Sequence, residues 1–156
     1  MFISYPIVVS LTSFYFFDLP KSSFGSMLDW MFICVLSALA GGFWGFAFGS
    51  FMKNEVVATQ LNLLFLILFS FGAGFYANTG SGANFVVDAI TYISPMRFST
   101  ELLMRRALSG KTGASQVLSL LGYTWGNPVC FTLLAFSAVE YFFVGWLCLV
   151  YKTHKF

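Results

Sequence analysis

The sequence predicts an all-α membrane protein with four transmembrane helices and an amphipathic or re-entrant helical segment before the last one. Of its 156 residues, 58% are hydrophobic and 9% are charged, whereas roughly 25% are charged in an ordinary soluble domain. Long uncharged runs alternate with short polar breaks, and each holds about 20 apolar residues, enough to cross a hydrocarbon core of about 30 Å. The 21 phenylalanines and 4 tryptophans suit lipid-facing and interfacial surfaces.

The composition also excludes several classes of protein. A net charge of +2 is too small to indicate nucleic-acid binding. The cysteines Cys34, Cys130 and Cys148 all fall within hydrophobic runs, so they form neither a disulfide framework nor a zinc-ligand spacing. They are interpreted as packing residues. We therefore expect no metal, no cofactor and no nucleic acid.

The first two helices are predicted over residues 1–17 and 26–52. Pro6 would kink or delimit the first helix. The polar turn between them is short, so the second helix must return antiparallel beside the first. Ser26, with Asp29 three residues later, has the spacing of a capping box, which would mark the start of the second helix.

Three glycines, Gly41, Gly45 and Gly49, follow one another at intervals of four in the second helix and therefore share a face. In lipid, no hydrophobic force drives helices together, and such small residues let a partner backbone approach closely. We predict a helix contact at this glycine ridge. A hinge that permits bending is the alternative.

A third helix is predicted over residues 57–77, after the polar break at 53–55, and the glycines that follow indicate a flexible loop. Residues 84–93 contain Asp88 and a helical apolar face, which favours a half-membrane or interfacial helix. Asn127 and Pro128 then combine a cap with a proline start signal. They predict the last spanning helix over residues 128–151.

The stretch between residues 92 and 110 predicts a short, sharply bounded helix over 95–108. Ser94 would be its N-cap, Pro95 occupies the first helical position, and Gly110 offers a left-handed stop.

Within that helix Arg97, Glu101 and Arg105 are spaced four apart and form one charged ladder. The favoured interpretation is an interfacial helix whose charges face water, and direct contact with a ligand is the alternative.

Glu140 lies near the middle of the last predicted span. A carboxylate at that depth costs about 2.5 to 3.5 kcal/mol on insertion scales, and such groups usually face a bundle interior or a wet cavity. The favoured interpretation is a protonated or hydrogen-bonded glutamate that faces another helix. A substrate or proton pathway is the alternative.

No catalytic arrangement is apparent. The Gly110-Lys111-Thr112 sequence resembles the end of a phosphate-binding P-loop, but Arg105 replaces the required glycine. The only histidine, His154, lies in the terminal tail, and no Ser/His/Asp or Cys/His set is available within one membrane layer. We expect that the chain alone is not an enzyme.

Four spans would place both termini on one side of the membrane. Lys53, Lys152 and Lys155 would share that side, and the remaining cationic residues would lie on the other. By the positive-inside rule, the connection after the third helix would then be cytoplasmic.

The order of motifs resembles the C-terminal half of the membrane domain of ABC exporters of the ABCG (white-brown) type, from the third to the sixth membrane helix. The motifs are Gly74-Phe75-Tyr76-Ala77-Asn78, then Tyr92-Ile93-Ser94-Pro95-Met96-Arg97-Phe98, then Leu120-Leu121-Gly122-Tyr123 before a last span.

The resemblance implies half of a dimeric transporter with a substrate cavity between two membrane domains. Phe75 and Tyr76 would close the path toward the outside, just before Asn78, and the connection after Asn78 would lie outside with a re-entrant part. This contradicts the charge count, and we prefer the family pattern because the order of motifs is harder to produce by chance.

The function implied is export of a hydrophobic or lipid-like substrate. The partners expected are membrane lipids and other membrane subunits, which would supply the nucleotide-binding domain and the remaining helices. The alternative function is a non-transporting accessory subunit of a larger membrane complex derived from such an exporter.

Overall fold

The computed structural model describes residues 4–16, 24–74 and 85–153, and this part of the chain is helical without strands. The predicted all-α class is confirmed. The described helices are α1 (Ser4–Phe16), α2 (Phe24–Phe51), α3 (Glu55–Gly72), α4 (Phe85–Ile93), α5 (Pro95–Ala107), α6 (Ala114–Leu120) and α7 (Asn127–Thr153).

Three of the described helices are long and apolar enough to cross a membrane, namely α2, α3 and residues 127–152 of α7. The fourth predicted span corresponds to α1, whose 13 described residues extend over about 20 Å. That is short of a hydrocarbon core of about 30 Å, so the count of four spans is not confirmed. Helix α1 packs on α2, where Trp30 Nε1 donates a hydrogen bond to Ser13 Oγ at 3.3 Å.

The start of α2 differs from the prediction. The described part of the helix starts at Phe24, so Ser26 lies within the helix and the capping-box interpretation is wrong. Asp29 instead forms an ion pair with Arg106 of α5, with 3.1 Å between Oδ2 and Nη2. Helix α3 begins at Glu55, and the Asn54 side chain accepts a hydrogen bond from the backbone N–H of Val56.

Helices α2 and α7 run parallel and form the main helix pair. The rings of Phe32 and Phe131 stack near the start of both helices, 5.4 Å between centroids, and Lys152 Nζ reaches Met52 O near their ends. Between these points Gly145 lies against α2, where an added Cβ would be 3.1 Å from Ala47 Cα. After α2 the chain returns through α3 to the end where α2 starts. Helix α7 begins at that end and therefore runs in the same direction as α2.

Helices α4 and α5 form a hairpin that enters the bundle and returns. At its tip the Tyr141 hydroxyl donates to Ile93 O at 3.1 Å, and Tyr141 lies about 21 Å along α7 from its first residue. Ser94 occupies the N-cap position of α5, but its hydroxyl donates to Phe69 O. Both bonds supply side-chain donors to backbone carbonyls where the hairpin meets α3 and α7. The C-terminal end of α5 returns to Asp29 at the start of α2.

The hydrophobic core surrounds α5. Phe98 and Leu102 of that helix are 3% and 2% exposed, and they pack with residues of α2 and α7: Ile33, Ala40, Cys130, Leu134 and Ala138. Helix α5 is therefore enclosed by the spanning helices and does not lie on the surface of the bundle.

Candidate functional site

Two of the three charges of the ladder in α5 are buried, and the side chain of the third, Arg105, is 22% exposed. Arg97 is 5% exposed and Glu101 is 0% exposed, so the expectation that these charges face water is wrong. The apolar face of α5 packs on α2 and α7, and the connection between α6 and α7 covers the opposite face. The spacing correctly grouped the three charges, but the covering connection decides their burial.

Glu101 lies between the two arginines. Its Oε1 accepts hydrogen bonds from Arg105 Nε at 3.1 Å and from Nη2 at 2.8 Å, and its Oε2 is 3.8 Å from Arg97 Nε. Removing a carboxylate from water is costly unless charge partners and hydrogen bonds compensate for it. Here Arg105 supplies charge and two hydrogen bonds to Oε1, whereas Arg97 supplies charge alone, because the buried Oε2 has no hydrogen-bond partner in the described part of the chain.

The arginines also bind the α6–α7 connection. Arg97 Nη2 donates to Gly122 O, and Arg105 Nη2 donates to Tyr123 O at 2.9 Å. The Arg97 guanidinium lies over the ring of Tyr123, 4.6 Å from its centroid, a favourable cation–π arrangement. We call Arg97, Glu101, Arg105 and Tyr123 the charge cluster.

The charge cluster reaches the end of α3. The Tyr123 hydroxyl donates to Ala73 O at 2.7 Å. Burial raises the pKa of Tyr123 above its ordinary value of 10.0, although a hydrogen bond from Thr100 and the charge of Arg97 act in the opposite direction. The neutral phenol is therefore the form that the fold favours.

Gly74 follows in a left-handed conformation with φ of +91°. A Cβ there would lie 3.1 Å from both Arg97 Nη1 and Leu121 O, so a larger residue would be strained and crowded. The predicted gate residues Phe75, Tyr76 and Asn78 lie outside the described residues. They follow Gly74 directly in the chain.

The predicted glycine ridge faces a groove between α2 and α3. An added Cβ at Gly41 or Gly49 would meet no atom within 4 Å, and at Gly45 it would meet only Asn62 Nδ2 at 4.0 Å. No helix of the described chain makes the predicted close contact there. Contact with a partner at this ridge stays a prediction.

Two cavities lie along this α2–α3 groove. One of about 300 Å³ is lined by Gly41, Trp44 and the first turn of α5. The other, of about 350 Å³, is lined by Gly45, Gly49 and Asn62 and lies nearer the α2–α3 turn. The absence of side chains on the glycines therefore leaves space along the groove.

Trp44 stands in an aromatic cluster with Phe48, Phe65, Phe69 and Tyr141, with centroid distances of 5.0 to 5.5 Å. Its buried Nε1 has no hydrogen-bond partner among the described residues, and neither has the buried Oδ1 of Asn62. Buried donors and acceptors without a partner are uncommon in folded proteins. The sequence analysis missed both residues, although a lone asparagine within an apolar span is a usable signal.

Glu140 lies on the outer face of α7 and is exposed. It forms no hydrogen bond or ion pair within the described part of the chain, and no described helix covers it. The favoured interpretation, a glutamate facing another helix, is therefore not met by a helix of this chain. Shielding by a partner stays a prediction.

Membrane-length helices around a polar re-entrant hairpin define an integral membrane protein. The sequence model of the ABC-2 type transporter family matches residues 1–106, which includes α1 to α4 and nearly all of α5. The chain belongs to the ABC-2 type transporter family and is a membrane component of a transporter, a kind of domain that typically works with other transporter subunits. A comparison with curated proteins gives no match.

Proposed function

We propose that the chain is the membrane-spanning part of an ABCG-like exporter and forms part of the path of a hydrophobic or lipid-like substrate. A separate domain would hydrolyse ATP, and this chain would not be an enzyme. The family match supports a transporter role, and the order of motifs around Gly74 and Arg97 supports the ABCG type. The observation that carries the substrate path is the α2–α3 groove.

The groove suits an apolar molecule with few polar groups. The cavity at Gly41 is lined mainly by apolar side chains, and the buried Trp44 Nε1 beside it is an unpaired donor. The cavity at Asn62 is more polar, since Glu55 and Thr59 also line it, and the buried Asn62 Oδ1 is an unpaired acceptor there. Binding sites for small molecules typically combine apolar walls with a few polar groups that fix orientation. A sterol or lipid with a single hydroxyl or carbonyl group has this chemistry.

The charge cluster would support the outer end of the path. Tyr123 binds Ala73 O at the end of α3, and the guanidinium group of Arg97 lies close to Gly74. By the ABCG resemblance, Phe75 and Tyr76 close the path immediately after this point. A gate works only if the backbone that carries it is held firmly, and the charge cluster provides such an anchor.

A second membrane domain would complete the path. Helix α3 exposes large apolar side chains, among them Leu63, Leu64 and Ile67, and the glycine ridge lines the groove beside it. The resemblance implies a dimer whose cavity lies between two such domains. We propose that α3 and the ridge face that partner.

The test is transport by the assembly that contains the chain. The native complex, reconstituted in vesicles with ATP, should move a fluorescent sterol or phospholipid across the bilayer. Trp44→Phe keeps the ring but removes the donor, and Asn62→Leu removes the acceptor, so each should lower transport several-fold. Trp146→Phe is the matched control, because Trp146 is 50% exposed on α7.

Two results would count against the proposal. Unchanged transport in both variants would show that the α2–α3 groove is not the path. A purified native complex that holds this chain in fixed stoichiometry but no nucleotide-binding protein would favour the alternative, a non-transporting accessory subunit.

A further inference from the structure

A larger cavity lies at the opposite end of the spans from the charge cluster. It has a volume of about 980 Å³ and lies between the last turns of α2 and α7. The cavity is open at the protein surface. Because α2 and α7 run parallel, these last turns reach the same membrane surface. The cavity is separate from the α2–α3 groove, which lies against the other side of α2.

The cavity has an apolar wall and a cationic rim. Phe51, Leu147 and Cys148 contribute to the wall, and Lys53 and Lys152 line the rim. Lys53 follows the end of α2 and Lys152 lies in the last turn of α7. The two ammonium groups therefore belong to the region where a span meets the lipid headgroups.

No carboxylate of the described residues pairs with the rim lysines. Neither lysine forms an ion pair within the described part of the chain, and Lys152 Nζ donates only to Met52 O, at 3.3 Å. Glu55 follows two residues after Lys53, but it lines the α2–α3 groove and not this cavity. The cavity thus presents two positive charges above an apolar surface.

We propose that this cavity binds one anionic phospholipid, with its phosphate between Lys53 and Lys152 and an acyl chain along Leu147 and Cys148. Basic pockets between spanning helices recognise anionic headgroups in this way, and each lysine near the surface contributes measurably to the attraction. Tyr151 at the rim suits the same interface, since tyrosine is enriched at headgroup level.

The ABCG resemblance agrees with this assignment. It places the connection after α3 outside, so the ends of α2 and α7 would face the cytoplasm, where anionic lipids are concentrated. The lipid would bind whether or not the chain transports anything. The inference therefore does not rest on the proposed substrate path.

Native mass spectrometry of the full chain in mild detergent tests the proposal by titration with phosphatidylserine and, separately, with phosphatidylcholine. Phosphatidylserine should bind with at least about tenfold higher affinity. Lys53→Gln and Lys152→Gln should each weaken it about fivefold, the loss expected for one surface charge. Lys152→Arg keeps the charge and should bind normally.

Lys111→Gln is the matched control, because Lys111 is an exposed lysine at the opposite end of the bundle. Lys53→Glu is a second test at a side chain that forms no hydrogen bond or ion pair with the described residues. It should abolish the preference for phosphatidylserine even if Lys152→Gln fails to fold. Equal binding of both lipids, or unchanged binding in the Lys53 variants, would overturn the proposal.

A further experiment distinguishes a lipid-binding site from a site that binds only the phosphate group. Soluble glycerophosphoserine should bind much more weakly than phosphatidylserine, since it lacks the acyl chain that covers the apolar wall. In vesicles, phosphatidylserine should also slow maleimide labelling of Cys148. It should not slow labelling of Cys34, which lies on α2 and does not line this cavity. Equal affinity for glycerophosphoserine would contradict the lipid assignment.

Discussion

The hydroxyl of Tyr123 donates a 2.7 Å hydrogen bond to the backbone carbonyl of Ala73, 50 residues earlier in the chain. This contact joins the end of α3 to the connection before α7. Arg97 from the re-entrant helix α5 lies over the same tyrosine ring. Three segments that are distant in sequence therefore meet where the predicted gate residues begin.

The first prediction concerns the pH dependence of this junction. Burial raises the folded-state pKa of Tyr123 above the ordinary value of 10.0, so its stabilising contribution is complete below pH 10.0. It is lost as the pH rises from 10.0 through the higher folded-state value. Thermal unfolding in detergent should therefore show a loss of stability in that alkaline range.

Tyr123→Phe is the control for this titration. This substitution should lower stability near neutral pH by about 1 kcal/mol through the lost hydrogen bond. Above pH 10.0, the stability of the variant should fall less steeply than that of the unsubstituted protein. Parallel declines in the two proteins would show that Tyr123 does not carry the effect.

The second prediction concerns the buried carboxylate of Glu101. Glu101→Leu leaves Arg97 buried without its compensating charge and should cost about 3 to 5 kcal/mol of stability. Asp29→Asn is the matched control, because it breaks an ion pair whose side chains are 47% and 53% exposed, which is worth about 0 to 1 kcal/mol. Chemical unfolding of both variants in detergent makes the comparison, and equal losses would contradict it.

The third prediction separates two kinds of glycine. Gly145→Leu inserts a side chain where α7 lies against Ala47, and such overpacking typically costs about 1 to 3 kcal/mol. Gly45→Leu enters the open groove, so the isolated chain should keep its thermal stability. If the ridge meets a partner, Gly45→Leu should nevertheless reduce assembly, as measured by co-purification. Unchanged assembly would show that the ridge makes no helix contact.

The fourth prediction concerns Glu140. In the isolated chain its side chain is exposed at span depth, so a partner should cover it in the native assembly. Glu140→Gln should be mild because it keeps a hydrogen-bonding group, whereas Glu140→Leu should reduce co-purification of the complex. A lipid-soluble quencher should fail to reach a fluorophore at position 140 in the complex. Efficient quenching there would contradict shielding.

The boundaries of α5 illustrate how far local patterns reach. Ser94, Pro95 and Gly110 predicted a short helix, and the structure has α5 over Pro95–Ala107 with Gly110 in a left-handed conformation. Ser94 takes the N-cap position, yet its hydroxyl bonds Phe69 of α3. A local pattern can place a residue at a helix end, but the packing of another helix decides which group it binds.

The sequence by itself determined the class of protein, because long apolar runs have no stable place except a membrane and their backbone groups must then pair within helices. It also determined which charges of α5 share a face, since helical spacing is a local property. Only the tertiary structure decided that Arg97 and Glu101 are buried, that Gly145 rather than Gly45 meets a neighbouring helix, and that Glu140 faces outward. The physical reason is that periodicity defines the faces of a helix, whereas burial depends on which distant segment covers each face.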